Sequence, residues 1–443
     1  MADKTAIDVR VANHILNRMG EVGQPPEYGI QLINVGNEEY LEVLRREYLH
    51  RLLTEARGSA FKLVQGYFGG GKTHFLHCVR DLAWNENFLT AMVSLSRQEC
   101  PFDDPHLVYK AVAGALTMPP TEVMGMAVRG LPDVLRSWAD SNLSGMSDEA
   151  FNTWYKGTAL RIPVRNHNFR RAVAEFLRAY RQNDVQGESI LEAWLHGDAV
   201  SHTDLKRYGV FGIIERSNAF QSLCSMAQLF KGYGFPGVVL MFDEVDRNLS
   251  LISGKKLRTW VDNLRQVVDM CGGSELPGVL FLYAVPPEFM RNVVPEYPAL
   301  DQRLQCPLSM SLRSPQAALI DLENLSLEPG ALLKAIGLKL LDVAQAAWDW
   351  DCSRELQEHN AAVLADCMSR FIFESGHRRQ FVKVWISFLQ TQRLGEEYSL
   401  TVDEAARLIT NDRTGASDPA GELGSEGEYG SADDSADEDF QDF

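Results

Sequence analysis

Gly66-Tyr67-Phe68-Gly69-Gly70-Gly71-Lys72-Thr73 follows the pattern G-x-x-x-x-G-K-T, and the residues on either side suit it. Before it, Phe61-Lys62-Leu63-Val64-Gln65 reads as a short buried strand. After it, Phe75, Leu76, Val79 and Leu82 recur on one face of a helix. Strand, glycine loop and helix in that order form a phosphate cradle. Glycines adopt backbone angles that turn successive N–H groups toward an anion, and the helix N-terminus adds partial positive charge. The pattern therefore implies a nucleoside triphosphate held by Gly66, Tyr67, Phe68, Gly69, Gly70, Gly71, Lys72, Thr73 and His74, with Lys72 on the β- and γ-phosphates and the Thr73 hydroxyl on Mg²⁺. The side chains of His74 and His77 are given no catalytic role.

The second half of such a site is expected on another strand. Gly237-Val238-Val239-Leu240-Met241-Phe242 is continuously apolar, as a central parallel strand buried on both faces should be, and it runs into Asp243-Glu244-Val245-Asp246. Asp243 would support Mg²⁺ and Glu244 would orient and polarise the attacking water. Asp246 reads as the cap of a following helix or as part of the acidic edge.

The 443 residues are long enough for two or three domains, with the apolar and charged fractions of an ordinary soluble protein. No apolar run is long enough to span a bilayer, and the first residues lack the plan of a signal peptide. The seven cysteines are scattered, without a C-x-x-C pair, and read as reduced residues of a cytoplasmic protein without a structural metal. The net charge is −17, but Asn411 to Phe443 carries eleven acids against one arginine, leaving −7 on the body. Overall charge thus excludes neither protein nor nucleic-acid partners.

Around the two motifs the pattern is α/β: a P-loop parallel sheet with a large helical insertion and a C-terminal helical lid. Residues 1–57 read as an N-terminal helical region packed on the nucleotide domain. The first part of that domain spans 58–118, with a second strand at Phe88 to Leu95 and a helix from Pro105 to Leu116. About 120 residues then pass without a strand, too many for a loop, so 119–235 is a helical insertion. Arg161, Arg165, Arg170, Arg171, Arg178 and Arg181 interleave there with Phe169, Phe176 and Tyr180. They read either as a DNA-contacting patch or as a solvated helix face in front of its core stripe. The domain resumes over 236–313, with a helix from Lys255 to Met270, a strand at Val279 to Ala284, and a further strand near Cys306 to Leu312.

The strand at Val279 ends Tyr283-Ala284-Val285-Pro286, without the Asn or Thr that would sense a γ-phosphate. Arg303, at a helical turn before the expected last strand, is either a finger reaching a neighbouring subunit's γ-phosphate or a surface arginine at a helix end. Residues 314–410 form the lid, in which Gly376-His377-Arg378-Arg379 opens an amphipathic helix. Arg379 reads either as a lid arginine over the phosphates or as a structural residue of that helix, and Trp348 and Trp350 read as packing the lid in preference to stacking a base. The segment 411–443 is acidic and expected to be disordered, a solubilising tail or a tether for a basic partner.

With these motifs in place the chain resembles an AAA+ ATPase of the initiator-like branch. More narrowly, it resembles the ATP-binding proteins of bacterial BREX phage-defence systems, the BrxD-like group. The stretches that carry this are Gly66 to Leu76 (GYFGGGKTHFL), Asp103 to Val112 (DDPHLVYKAV), residues 168–197 and the approach from Asn218 to Asp246. The resemblance implies an ATP hydrolase working in defence or genome maintenance with other defence-system proteins, as a homo-oligomer without membrane attachment. The missing polar sensor and the acidic tail depart from it. The alternative class is a non-catalytic scaffold that recruits partners according to its bound nucleotide.

Overall fold

A computed structural model describes residues 7–96, 100–120, 127–243, 254–272, 276–304, 308–370 and 376–415. Its centre is a six-stranded sheet of β1 (Ser59–Gln65), β2 (Leu89–Ser94), β3 (Leu116–Thr117), β4 (Val238–Asp243), β5 (Val279–Val285) and β6 (Leu319–Asp321), in the order β3-β2-β4-β5-β1-β6. All neighbours are parallel except β3, a short antiparallel edge on β2. The register aligns the carboxyl ends: Gln65 lies beside Val285 and Asp321, and Ser94 beside Asp243. The carboxyl ends of β1, β4 and β6 therefore lie at one edge, where a parallel α/β sheet places its ligand.

Alternation along the strands feeds two cores. Phe61, Leu63, Val93, Phe242 and Tyr283 face the insertion and the helix Gly254–Gly272. Val64, Val239, Met241 and Leu282 face the P-loop helix Lys72–Asn85 together with Tyr40, Leu49 and Leu53. Both faces are covered, which is why β4 and β5 are buried along their whole length. Tyr40 and its neighbours lie on Glu38–Val43 and the wider π-helical turns Leu44–Glu55 that lead into β1.

The insertion is helical as expected, with Leu131–Asn142, Asp148–Trp154, His167–Gln182, Val185–Leu195, His202–Arg207 and Ala219–Gly232. Asn166 begins the His167 helix by accepting from the N–H groups of Asn168 (3.0 Å) and Phe169 (3.3 Å). Phe169 and Phe176 are fully buried, so neither is free to stack a base. Glu175, also fully buried, accepts from the Tyr155 hydroxyl (2.5 Å) and pairs with Arg171 (2.8 Å) and Arg178. A buried carboxylate needs such partners. Arg170 donates to the Ile162 carbonyl (2.9 Å), and Arg181 to those of Leu143 (2.7 Å) and Met146. Four of the six arginines thus tie the insertion together, and only Arg161 and Arg165 are exposed.

Two expectations change. Beside the sheet, residues 308–312 make no ladder: Met310 alone is buried, donating to the Leu319 carbonyl (2.6 Å), while Leu308 and Leu312 are exposed. Their alternation with serine imitates a strand. The strand on the outer side of β1 is β6, beyond Pro315, and Cys306 lies outside the described residues. Likewise the first helix, Val9–Val22, packs on the lid rather than on the nucleotide domain. Val11, Ile15 and Leu16 share a core with Leu333, Leu340, Leu341, Phe381 and Trp385 of Pro329–Trp348 and His377–Leu394. The lid also contains Arg354–Ser369 and Val402–Gly415, so the last helix carries a few residues into the segment read as tail. Trp348 and Trp350 pack at the edge of this core. Among the described residues, no helix is long and apolar enough to cross a membrane.

Candidate nucleotide site

The loop after β1 folds as its glycines require. Gly69 and Gly71 have φ of +73° and +93°, where a side chain is strained, and Gly71 caps the helix Lys72–Asn85. Space is also short. A Cβ on Gly69 would stand 2.6 Å from the Gly376 Cα of the lid, and one on Gly70 would stand 2.5 Å from Glu323 Oε1. Lys72 is almost fully buried, its ammonium donating to the carbonyls of Gly66 (2.8 Å) and Tyr67 (3.0 Å). The Thr73 hydroxyl donates to Asp243 Oδ2 at 2.6 Å, joining the P-loop helix to the end of β4. Asp243 is 3% exposed. Glu244 lies outside the described residues.

These groups open into a cleft of about 1170 Å³, somewhat larger than most small-molecule sites. Its floor is the P-loop and Asp243. One wall is the lid, through Arg378, Arg379 and Val382; the roof is the segment Gly23 to Gly29. That roof is tied at both ends. Arg379 Nε donates to the Val22 carbonyl (2.8 Å), and Arg80 of the P-loop helix donates to the Glu27 carbonyl. Tyr28 of this segment stacks on His14 of the first helix with centroids 4.0 Å apart. His74 Nε2 lies 3.3 Å from Asn34 Oδ1. Burial, with Arg378 nearby, lowers the His74 pKa to about 4, and burial with Arg80 lowers that of His77 to about 3. Both rings are neutral at physiological pH and bring no charge to the phosphates.

The expected residues Gly66 through His74 and Asp243 are together. Of the two arginines expected here, only Arg379 lines the cleft. Arg379 is turned to the roof, and its neighbour Arg378 reaches the P-loop instead, donating to the carbonyls of Gly70 (2.5 Å) and Leu322 (2.9 Å). The sequence offers both arginines within the first turn of the lid helix, and the helix's rotation, with His377 and Phe381 buried, decides between them. Arg303 lies on Pro298–Leu304, does not line the cleft, and is paired through two nitrogens with Asp269. Two contributors were not foreseen. Asn34 sits beside His74 and Cys78, and Glu323 accepts the Tyr67 N–H at 2.8 Å. Glu323 follows β6, the strand the sequence pattern displaced.

The donor set suits a hard divalent cation: one hydroxyl and one carboxylate, already within a hydrogen bond of each other. No group of three or more His, Cys, Asp or Glu side chains is assembled to hold a metal among the described residues. A Mg²⁺ here would take its other oxygens from phosphate and water, as Mg²⁺ usually does.

A glycine loop between a parallel strand and a helix, joined by its threonine to an acid at the end of a second strand and closed by a helical lid, is the arrangement of a P-loop nucleotide-binding protein. The family described as BREX system ATP-binding protein BrxC/D matches residues 7–405, and the chain belongs to that family. No curated protein matches the sequence. Among solved structures, that of the Aeropyrum pernix ORC2 protein in ADPNP and ADP complexes is similar with a TM-score of 0.40 and 11% identity, over 84% of this chain and 67% of that one.

Proposed function

We propose that the chain is a Mg²⁺-dependent ATP hydrolase whose nucleotide state drives assembly or remodelling of a protein–DNA complex in anti-phage defence, in the company of other copies of itself and other defence proteins. The observation that carries the reading is the Thr73–Asp243 hydrogen bond beside the buried Lys72. Lys72 binds the β- and γ-phosphates. Thr73 and Asp243 hold the cation, which supplies charge neutralisation at the transferring phosphoryl group. Glu244 polarises the attacking water. Arg378, in place of Arg379, contacts the γ-phosphate from the lid, and Arg303 serves a neighbouring subunit by exchanging Asp269 for its phosphate. Glu244→Gln should leave ATP binding intact and reduce steady-state phosphate release at least a hundredfold, on the order expected for loss of a base. Unchanged turnover in that variant would remove Glu244 from the mechanism.

One observation favours a second reading, a nucleotide-dependent switch without sustained turnover. Tyr283, where a γ-phosphate sensor would be sought, is fully buried against Phe102, Phe242 and Trp260, and Ala284 and Val285 after it are buried too. Single-turnover measurements separate the two: a switch retains its nucleotide after at most one cycle, whereas an enzyme releases product repeatedly.

A further inference from the structure

Glu323 stands where a carboxylate is least expected, at the flank of a loop built to receive phosphate. Its Oε1 accepts the Tyr67 N–H at 2.8 Å and lies against Gly70, where a Cβ would come within 2.5 Å of it. Its Oε2 is 3.6 Å from Arg378 Nη2, an ion pair too long for a hydrogen bond. Asp321, just before it, is occupied. Its carboxylate accepts the Glu323 N–H (3.1 Å) and the Asn324 amide (2.5 Å), and its carbonyl accepts from the Tyr40 hydroxyl (3.0 Å). The turn after β6 is therefore held, and Glu323 is aimed by it.

Arg378 is incompletely matched. Two of its nitrogens donate to neutral carbonyls, of Gly70 and Leu322, and its buried Nε has no hydrogen-bond partner among the described residues. Charged acceptors bind a guanidinium about twice as strongly as neutral ones, and bidentate phosphate contacts are the strongest. Two carboxylates act on Arg378 by charge, those of Glu323 and Asp321, and Glu323 lies within ion-pair distance without a hydrogen bond.

We infer that Glu323 is a positioning residue that sets the threshold for ATP: its carboxylate braces the P-loop through Tyr67, holds Arg378 by charge, and competes with the terminal phosphate for that arginine. The inference rests on the reading of the cleft as a triphosphate site with Arg378 on the γ-phosphate. When the phosphate arrives, Arg378 gains an anionic hydrogen-bonded partner and leaves Gly70 and Leu322. Glu323, still pinned to Tyr67, opposes the added negative charge. Lid closure and ATP occupancy are then coupled through one carboxylate, and ADP, lacking the γ-phosphate, escapes most of the competition.

Glu323→Gln isolates the charge, because the amide oxygen still accepts from Tyr67 while the anion is gone. Calorimetric titration of the full chain with ADP and with a non-hydrolysable ATP analogue, both with Mg²⁺, should show the analogue binding about fivefold tighter or more, a modest coupling, and ADP changing less than twofold. In an Arg378→Gln background the substitution should lose that selectivity. Equal changes for both nucleotides, weaker binding of both, or the same selectivity without Arg378 would overturn the inference and leave Glu323 as a loop brace. Glu323→Asp keeps the charge but shortens its reach. With its charge drawn back from Arg378, it should shift the ratio of the two affinities toward the triphosphate in the same direction as Gln but by less. An unchanged ratio, or one shifted toward ADP, would count against the competition even if the Gln variant does not fold. Wild-type protein that binds neither nucleotide would overturn the triphosphate reading and this inference with it, whereas normal wild-type binding with unselective variants overturns the inference alone.

Discussion

At the residue scale, the two histidines of the P-loop helix give a test that needs no nucleotide. His74 and His77 have an ordinary pKa near 6.5, lowered to about 4 and about 3 by burial, with Arg378 and Arg80 adding to it. The unfolded chain binds protons at these rings as pH falls below 6.5, and the folded chain refuses them until pH 4 or lower. The stability they contribute is complete above neutrality and is lost as pH drops through that window, on the order of 1–2 kcal/mol per ring by pH 5. Melting temperatures at pH 7.5 and pH 5 should show the fall, and His77→Gln should make it smaller. A drop unaltered by that substitution would assign the acid sensitivity elsewhere. At this scale the sequence was legible wherever chemistry depends on local order. G-x-x-x-x-G-K-T fixes its own backbone, and the apolar run before Asp243 predicts where that carboxylate emerges. The contributions of Arg378 and Glu323 were hidden because each depends on the rotation or register of an element set by distant packing.

At the element scale, the lid meets the P-loop with almost no clearance. The Gly69 Cα faces Gly376, so Gly69→Ala combines an unfavourable φ of +73° with a methyl group 2.6 Å from the lid backbone. The strain alone is about 1–2 kcal/mol, and relief requires the lid helix to back away, taking Arg378 with it. That strain lowers stability with or without ligand, whereas withdrawal of Arg378 should lower ATP affinity about tenfold, equivalent to roughly 1.4 kcal/mol of binding free energy. Gly114→Ala is the control: a Cβ there meets nothing within 4 Å, and titration should find affinity unchanged. The same scale shows why β6 was misplaced. Leu308, Met310 and Leu312 alternate as a strand should, but period alone does not say which alternating segment finds a partner. The adjacent edge of β1 accepts Leu319–Asp321, leaving the earlier segment with one buried side chain.

At the scale of the whole molecule, the first helix belongs to the last domain. Ile15 is fully buried among lid residues, so Ile15→Ala should cost about 2–5 kcal/mol in the lid while sparing the sheet. Hydrogen exchange should quicken across Pro329–Trp348 and remain slow in β4. Uniform acceleration would mean that lid and sheet unfold as one unit. The sequence displayed both helical regions clearly but not their association, because an amphipathic stripe says that a face is buried and not which other face covers it. The roof over the cleft follows from this association: the chain leaves the lid at Val22, crosses the opening, and is caught by Arg80 near Glu27. Both catches use peptide oxygens, which every amino acid supplies. Replacing Val22 or Glu27 should therefore leave the roof anchored, whereas adding or deleting a residue between them would carry one oxygen out of reach. The spacing of this crossing, more than its composition, is what the architecture depends on.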